Sequence, residues 1–471
     1  MTQQDRNYLK FTIALGRGLA YITKGKYGRA ITEFTRAIQL QPNFLEAYIN
    51  RAIAYVLKGD YQHAIADYDR ATQLEPDNAL IYVDRGSAYA HMGNYDRALA
   101  DFAYAIQLEP DLAIAYHNRG LAYADMGDYD HAIADLNRVI KLRPDLASAY
   151  YNRGLVYADM GDCDRAIADF SRAIKLQPDF AKAYYNRGNA YLDKDSPDQA
   201  IADFSRVIQL QPDSAEAYYN RGLAYASKGD HDQAVADFSQ AIRLQPDDPE
   251  AYYNRGDAYA NLEDYDHAIA DFTRAIKLQP GEADFYYSRA VAYVSKGNYH
   301  RAIADFNTII KLHPELTARA CLGRGLTYTA KGDYDSAIAD LTQVIALQPD
   351  FVAEAYLARG ISYMGNGDSD RALADFTQAI RIQPDDAVAY FNRGRVYVEK
   401  GDHAQAFADF NRAIQLQPDL PSAYFGRGLI YGLMGKEKKA AADFRKCLEL
   451  TTDPVERGKV EELLRESGIE L

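Results

Sequence analysis

Proline recurs through this chain on a fixed ruler. Pro42, Pro76, Pro110, Pro144, Pro178, Pro212, Pro246, Pro280 and Pro314 stand 34 residues apart. Pro349 and Pro384 follow at steps of 35, and Pro418 returns to 34. Twelve of the sixteen prolines belong to this series, so the period is built in and not accidental. A chain of 471 residues would otherwise be expected to split into about three globular domains. A period of this length points instead to stacked copies of one small unit with a continuous core.

Position 32 of each unit is assigned to this proline. Thirteen units result, and position 11 is then Tyr in all of them, from Tyr21 to Tyr431. Position 20 is Ala in all thirteen, from Ala30 to Ala440. Position 8 is Gly or Ala, and position 24 is aromatic except for Leu136 and Leu341. Positions 4, 8 and 11 are three or four residues apart, which places them on one helical face. Positions 20, 24 and 27 do the same on a second helix. Small residues at 8 and 20 let two backbones approach, and aromatics at 4, 11 and 24 fill the space around them. The 39 tyrosines are therefore expected to be mostly core, each burying on the order of 150–250 Å². Gly at position 15, in eleven units, is suited to end the first helix in a left-handed turn. Asp at position 16, as in Gly127-Asp128, is suited to cap the second. Proline at 32 stops that second helix, because it has no N–H to donate.

This pattern resembles the tetratricopeptide repeat (TPR), whose signature runs aromatic, Gly, Tyr, Ala, Phe, Pro on a 34-residue period. Here it reads Tyr150, Gly154, Tyr157, Ala166, Phe170, Pro178, and the match covers roughly residues 11–454. One departure is systematic: position 7, usually Leu, is Arg throughout. The resemblance implies an all-α, right-handed superhelical solenoid of about 13 helix-turn-helix units. On this reading residues 1–10 are an N-terminal segment and 11–453 the thirteen repeats. Residues 454–471 form a C-terminal capping helix and tail. Asp453 and Pro454 start that cap, and Val460, Leu463 and Leu464 give it one apolar stripe. The two 35-residue steps predict an irregularity over 315–386, with the extra residues near Glu315–Arg319 and Phe351–Glu354 and a bend in the superhelix near 315–360.

Composition restricts function. The formal net charge is -14, which argues against nucleic-acid binding and against attraction to anionic lipid. No apolar run approaches the length of a membrane span, and the first ten residues lack the apolar core of a signal peptide. Cys163, Cys321 and Cys447 lie far apart without metal-ligand spacing, as expected of reduced thiols in a cytoplasmic protein. The nine histidines form no ligand motif. No glycine-rich phosphate loop or nucleophile elbow is present, so neither enzyme activity nor a cofactor is expected.

Two sets of residues remain as candidates for binding. Arg at position 7 and an acid at position 23 occur together in all thirteen units, from Arg17 with Glu33 to Arg427 with Asp443. The pairing predicts a bridge between the two helices of each unit, planar guanidinium against carboxylate. A ladder of anion-binding arginines is the competing reading. Asn at position 6 is unbroken over units four to eight: Asn118, Asn152, Asn186, Asn220 and Asn254. The resemblance implies that this face lines the concave groove. It also implies an asparagine ladder similar to that of the nucleocytoplasmic O-linked N-acetylglucosamine transferases, which holds an extended peptide by its backbone. An amide offers both donor and acceptor for that task. Descent from one duplicated unit would explain the asparagines equally well. Tyr151, Tyr185, Tyr219 and Tyr253 stand beside them at position 5, either to stack on a ligand or to pack on the adjacent unit. Asp125, Asp159 and Asp193 at position 13 favour a ligand carrying Lys or Arg. A Lys/Arg clamp for a chaperone tail is absent, since only Lys182 occupies a clamp position. The expected function is a non-catalytic scaffold for a protein or extended peptide. The alternatives are a self-assembling solenoid joined through its N-terminal end and a helical-repeat RNA binder.

Overall fold

In a computed structural model that describes residues 2–466, the chain folds as consecutive antiparallel helix pairs. The described residues hold 27 α-helices, one 3-10 turn at Pro314–Leu316 and no strand. They divide into two compact bodies, Met1–Leu244 with units one to seven and Gln245–Leu471 with units eight to thirteen.

Unit five illustrates why each piece forms. Its first helix is Ala147–Asp159 and its second is Cys163–Leu176. Gly161 follows the first helix at φ 76°, a left-handed conformation that glycine adopts without a Cβ clash. The Asp162 carboxylate accepts from the backbone N–H of Arg165 and caps the second helix. That helix ends at Leu176. Gln177, restricted by the proline after it, is already extended at φ -133° and ψ 93°. The two helices touch where Gly154 faces Phe170, and a Cβ on Gly154 would meet the ring at 2.7 Å. Glycine at position 8 is thus a matter of space.

The fully enclosed rings are the position-24 phenylalanines, such as Phe102, Phe170 and Phe204, together with alanines at positions 20 and 27. Most tyrosines are half-buried, which corrects the expectation that they form the core. Their hydroxyls explain the placement. The position-4 tyrosine donates to the carbonyl of the preceding unit's proline, as Tyr48 does to Pro42 at 3.0 Å and Tyr424 to Pro418 at 3.0 Å. A Tyr O–H enclosed in the core would need a partner there; at the rim it finds one.

The position-7 arginine makes the expected bridge and a second link besides. Arg153 Nε donates to Asp169 Oδ2 at 2.7 Å and Nη2 to Oδ1 at 2.6 Å, a two-pronged fork. Its remaining Nη1 reaches back to Asn137 on the second helix of unit four. The same third contact joins Arg187 to Ser171 at 2.9 Å, Arg289 to Thr273 at 3.0 Å and Arg427 to Asn411 at 2.7 Å. In these units one guanidinium ties its own pair together and fastens it to the unit before, whereas Arg119, which has Ala103 at the corresponding place on the helix before, makes only the fork. Units two to thirteen all make the intra-unit fork. Unit one does not: Arg17 is exposed, and Glu33 Oε2 is buried with no hydrogen-bond partner among the described residues.

The two extra residues are taken up between units. The first is absorbed by the 3-10 turn Pro314–Leu316 leading into Thr317–Lys331. The second is absorbed by Gln348, left-handed at φ 47°, before Val352–Gly365. Arg324 and Arg359 still reach back to Asn307 and Thr342, now across 17 residues instead of 16. At the ends, residues 3–10 are not a separate segment: they open the first helix, Gln3–Thr23, which Thr2 and Asp5 cap reciprocally. At the other end the helix Pro454–Glu466 lays Val460 and Leu464, both fully buried, against Phe444 and Cys447. Residues 467–471 of the proposed tail lie outside the described residues.

Two stability tests follow. Asp169 is 8% exposed and Arg153 19%, so stranding either charge is costly. Arg153→Leu should lose about 3–5 kcal/mol, and adding Asp169→Leu should recover part of it. Urea melts of the four-member cycle check this, and additive effects would contradict the fork. Asp195 at φ 52° and Glu263 at φ 61° occupy the turn position that glycine holds in the other eleven units. Asp195→Gly and Glu263→Gly should each stabilise by about 1 kcal/mol, read as a raised urea midpoint.

Candidate functional site

In every unit, positions 2, 5, 6, 9 and 13 lie along one side of the first helix, with position 5 at its edge toward the second helix. Within the first body, successive units bring these positions side by side. The position-24 phenylalanine ring holds the position-5 side chain in place beneath it. Tyr185 rests edge-on to Phe204 at 5.8 Å between ring centres, and Tyr151 tilts against Phe170 at 5.9 Å. Burial raises the pKa of the Tyr151 and Tyr185 hydroxyls, so both stay protonated. Position 5 therefore packs on its own unit.

The asparagines are drawn into this arrangement one unit later. Asn186 Nδ2 donates to the Tyr151 hydroxyl at 2.9 Å and to the Lys182 carbonyl at 3.1 Å. Asn220 Nδ2 donates to the Tyr185 hydroxyl at 3.0 Å and to Asn189 Oδ1 at 3.0 Å. Asn152 Nδ2 lies 2.8 Å from His117 Nε2, and Asn118 Nδ2 donates to Ser87 at 3.0 Å. Desolvation lowers the pKa of His117 and favours the neutral ring that can accept from Asn152. In the second body, Asn254 donates to the Glu250 carbonyl at 2.9 Å, and Tyr253 lies 3.3 Å from the Ser288 hydroxyl. Tyr219 packs on Phe238 at 5.7 Å.

These bonds set the polarity of the ladder. A carbonyl accepts only, so the Asn186 atom beside Lys182 O must be nitrogen, and both hydrogens of that amide are spent. Its Oδ1 is left as an acceptor. The Tyr151 hydroxyl, having accepted from Asn186, keeps its own proton to donate. The Asn186–Tyr151 pair so presents one acceptor and one donor.

Two clefts open on this face in the first body. One of about 250 Å³ is lined by Ser87, His91, Phe102, Asn118, Leu121 and Asp125. The other, of about 360 Å³, is lined by Tyr151, Lys182, Tyr185, Asn186, Gln211 and Glu216. Asp125, Asp159 and Asp193 are exposed as position 13 requires. Two acids were missed: Asp84, at the ladder's position 6 in unit three, and Glu216, at position 2 in unit seven. The register alone would have found both. Leu80 and Ile114, about half exposed at position 2, add apolar surface.

Other candidates resolve into structure. His63, His131 and His267 each sit beside the Asp that caps their helix, at 2.7–2.8 Å, and stack on a position-11 tyrosine. No cluster among the described residues could hold a metal ion. None of the described helices is long and apolar enough to cross a membrane. Cys321 and Cys447 are buried.

The inter-unit bond is open to measurement. Tyr185→Phe deletes only the hydroxyl that Asn220 binds, and should cost about 0.5–1.5 kcal/mol with unchanged helicity. Chemical denaturation with circular dichroism checks it; an unchanged midpoint would mean that Asn220 finds water equally well.

Comparison with known proteins places this architecture. Tetratricopeptide-repeat models match residues 15–79, 151–215, 287–350 and 357–421 in one version, and 58–117 and 397–465 in another. A further model of the same repeat matches 122–161 and 222–263. No curated protein matches the chain. Among solved structures, MamA is 31% identical over 36% of this chain and 94% of its own, with a TM-score of 0.35. YrrB, described as a TPR protein with an unusual peptide-binding site, is 26% identical over 38% of this chain and 92% of its own, TM-score 0.36. Yeast Tom70 is 18% identical over 96% of this chain and 99% of its own, TM-score 0.36. With the repeat matched over more than half its length, and with the helix pairs, the position-8 glycines and the terminal prolines in place, the chain belongs to the tetratricopeptide-repeat family.

Proposed function

We propose that this protein is an interaction scaffold whose first body binds an extended, basic peptide along the groove face of units three to seven. The observation that carries this reading is the alternation of acceptor and donor at Asn186 with Tyr151 and Asn220 with Tyr185. An extended peptide group offers the complement, an N–H and a C=O. A repeated pair of this kind holds a backbone without reading its side chains. Selectivity then rests on the flanking residues. Asp84, Asp125, Asp159, Asp193 and Glu216 stand along this face against Lys182, so Lys or Arg on the ligand is favoured. The exposed Leu80 and Ile114 favour apolar residues between them.

The test is capture of peptides from an immobilised library of random 12-residue sequences. The bound pool should be enriched in Lys and Arg. Changing Asn152, Asn186 and Asn220 to Ala together should abolish capture. Each change also removes an inter-unit hydrogen bond, so a loss of about 0.5–1.5 kcal/mol per site is expected, and capture is measured well below the melting transition. Undiminished capture by this variant would make the asparagines relics of duplication. A pool without basic enrichment would remove the acidic residues from the account.

A further inference from the structure

The turn edge of units three to five departs from a rule that other joints follow. Position 14 closes the first helix of a unit, and position 18 stands in the first turn of the second helix. Stacking brings position 14 against position 18 of the unit before. Lys194 Nζ donates to Asp164 there, Lys296 to Asp266 and Lys400 to Asp370. Lys228 Nζ donates to Asp198 at 2.7 Å, and Asn366 Nδ2 to Asp335 at 3.2 Å. In each of these joints the aspartate receives a donor from the unit that follows.

Two joints in the first body break the rule. Asp96 of unit three faces Met126 of unit four, and both line a cleft of about 380 Å³ with Met92, Asn94 and Tyr95. Asp130 of unit four stands opposite Met160 of unit five in the same register. Both aspartates are exposed, and neither has an ion-pair or hydrogen-bond partner among the described residues. Met92, Met126 and Met160 thus occupy position 14 of three successive units, and they are 52%, 48% and 46% exposed. Packing does not require them. These joints are held elsewhere, by Asn118 on Ser87 and by Arg153 on Asn137. A lysine at position 14 would satisfy the aspartate and expose no thioether. Methionine is unbranched and polarizable, and it moulds itself to an irregular apolar partner. Exposed in a row, it is apolar surface for something to cover.

We infer that this row binds a basic amphipathic helix of another protein, which lays apolar side chains on the methionines and sets Lys or Arg against Asp96 and Asp130. The chain supplies the template for that cation. Where the aspartate is satisfied, its donor comes from position 14 of the next unit, and it is lysine in four of the five joints. Where that lysine is methionine, the partner brings the charge. The surroundings select the same sign. Asp125 and Asp159 at position 13 stand exposed beside the row. The arginines nearby are engaged, Arg97 over the Tyr89 ring at 5.5 Å and Arg165 with Asp162 at 3.2 Å. A second copy would oppose acid to acid, and an anionic lipid surface would be repelled. The site lies at the turns and uses none of the asparagine–tyrosine pairs, so it does not rest on the groove reading.

The probe is a fluorescent, hydrocarbon-stapled helix with leucines on one stripe and lysines on both flanks. Fluorescence anisotropy with the full chain at physiological salt should show saturable binding. A probe with glutamate in place of every lysine should not bind. Met126→Lys with Met160→Lys installs the bridge of the other joints. It should weaken binding roughly tenfold or more, with helicity kept and the urea midpoint held or raised. Met126→Gln with Met160→Gln leaves every charge in place and should also weaken binding, which simple attraction of a basic peptide to an acidic protein would not do. The chain with Asn152, Asn186 and Asn220 changed to Ala should bind this probe unchanged, which separates this site from the groove. Absence of binding by the unmodified chain, equal binding by either methionine variant, or loss of binding in the asparagine variant would each overturn the proposal. Sedimentation supplies the remaining outcome: a dimer that Met126→Lys with Met160→Lys splits would assign the row to a second copy and overturn the basic-helix reading.

Discussion

A single guanidinium per unit organises this molecule. The fork made by the position-7 arginine neutralises a buried aspartate on the second helix of the same unit, and its third nitrogen fastens the helix before. A buried carboxylate alone would be strongly unfavourable, and an arginine alone would be an exposed cation on a helix seam. Together they set the separation of three helices at once. The tyrosines at positions 4 and 11 enclose the guanidinium, whose carbon lies 5.6 Å from Tyr184 and 5.9 Å from Tyr191 around Arg187. This accounts for Arg where the family usually has Leu: the position is a polar joint with an aromatic wall.

That joint also explains how the array tolerates irregularity. Where an extra residue enters before Arg324 and Arg359, the intra-unit fork keeps its spacing of 16, and only the backward link lengthens. The strain of insertion falls on a 3-10 turn and on one left-handed Gln, outside the helices. Position 6 shows the same economy. There Asn186 and Asn220 each bond the tyrosine hydroxyl of the preceding unit, so a side chain of the first helix joins neighbouring units without entering the core.

The period, the helix pairs and the membership of positions 8, 20 and 24 in the core were all legible from spacing. So was the pairing of the arginine at position 7 with the acid at position 23, because two residue types that recur together on flanking positions of two seams must meet. The shared side of positions 5 and 6 on successive first helices was legible as a register. Residue spacing carries this much because a helix converts it directly into facing, and repetition averages out local exceptions.

What residue spacing did not reveal is which neighbour each polar atom would choose. Asn186 meets Tyr151 across 35 residues, and Arg187 meets Ser171 across 16, only because stacking brings successive units side by side. The position-4 tyrosines lie toward the rim, where their hydroxyls find proline carbonyls. The extent of the first helix likewise emerges from the fold. Residues 1–10 read as a separate N-terminal segment, whereas the fold continues residues 3–10 into one 21-residue helix that packs Phe11, Ala14 and Gly18 inward. Sequence by itself determined the unit and its repetition, through the periodicity of the α-helix. The tertiary structure decided the contacts between units, because those depend on how one rigid pair is rotated onto the next.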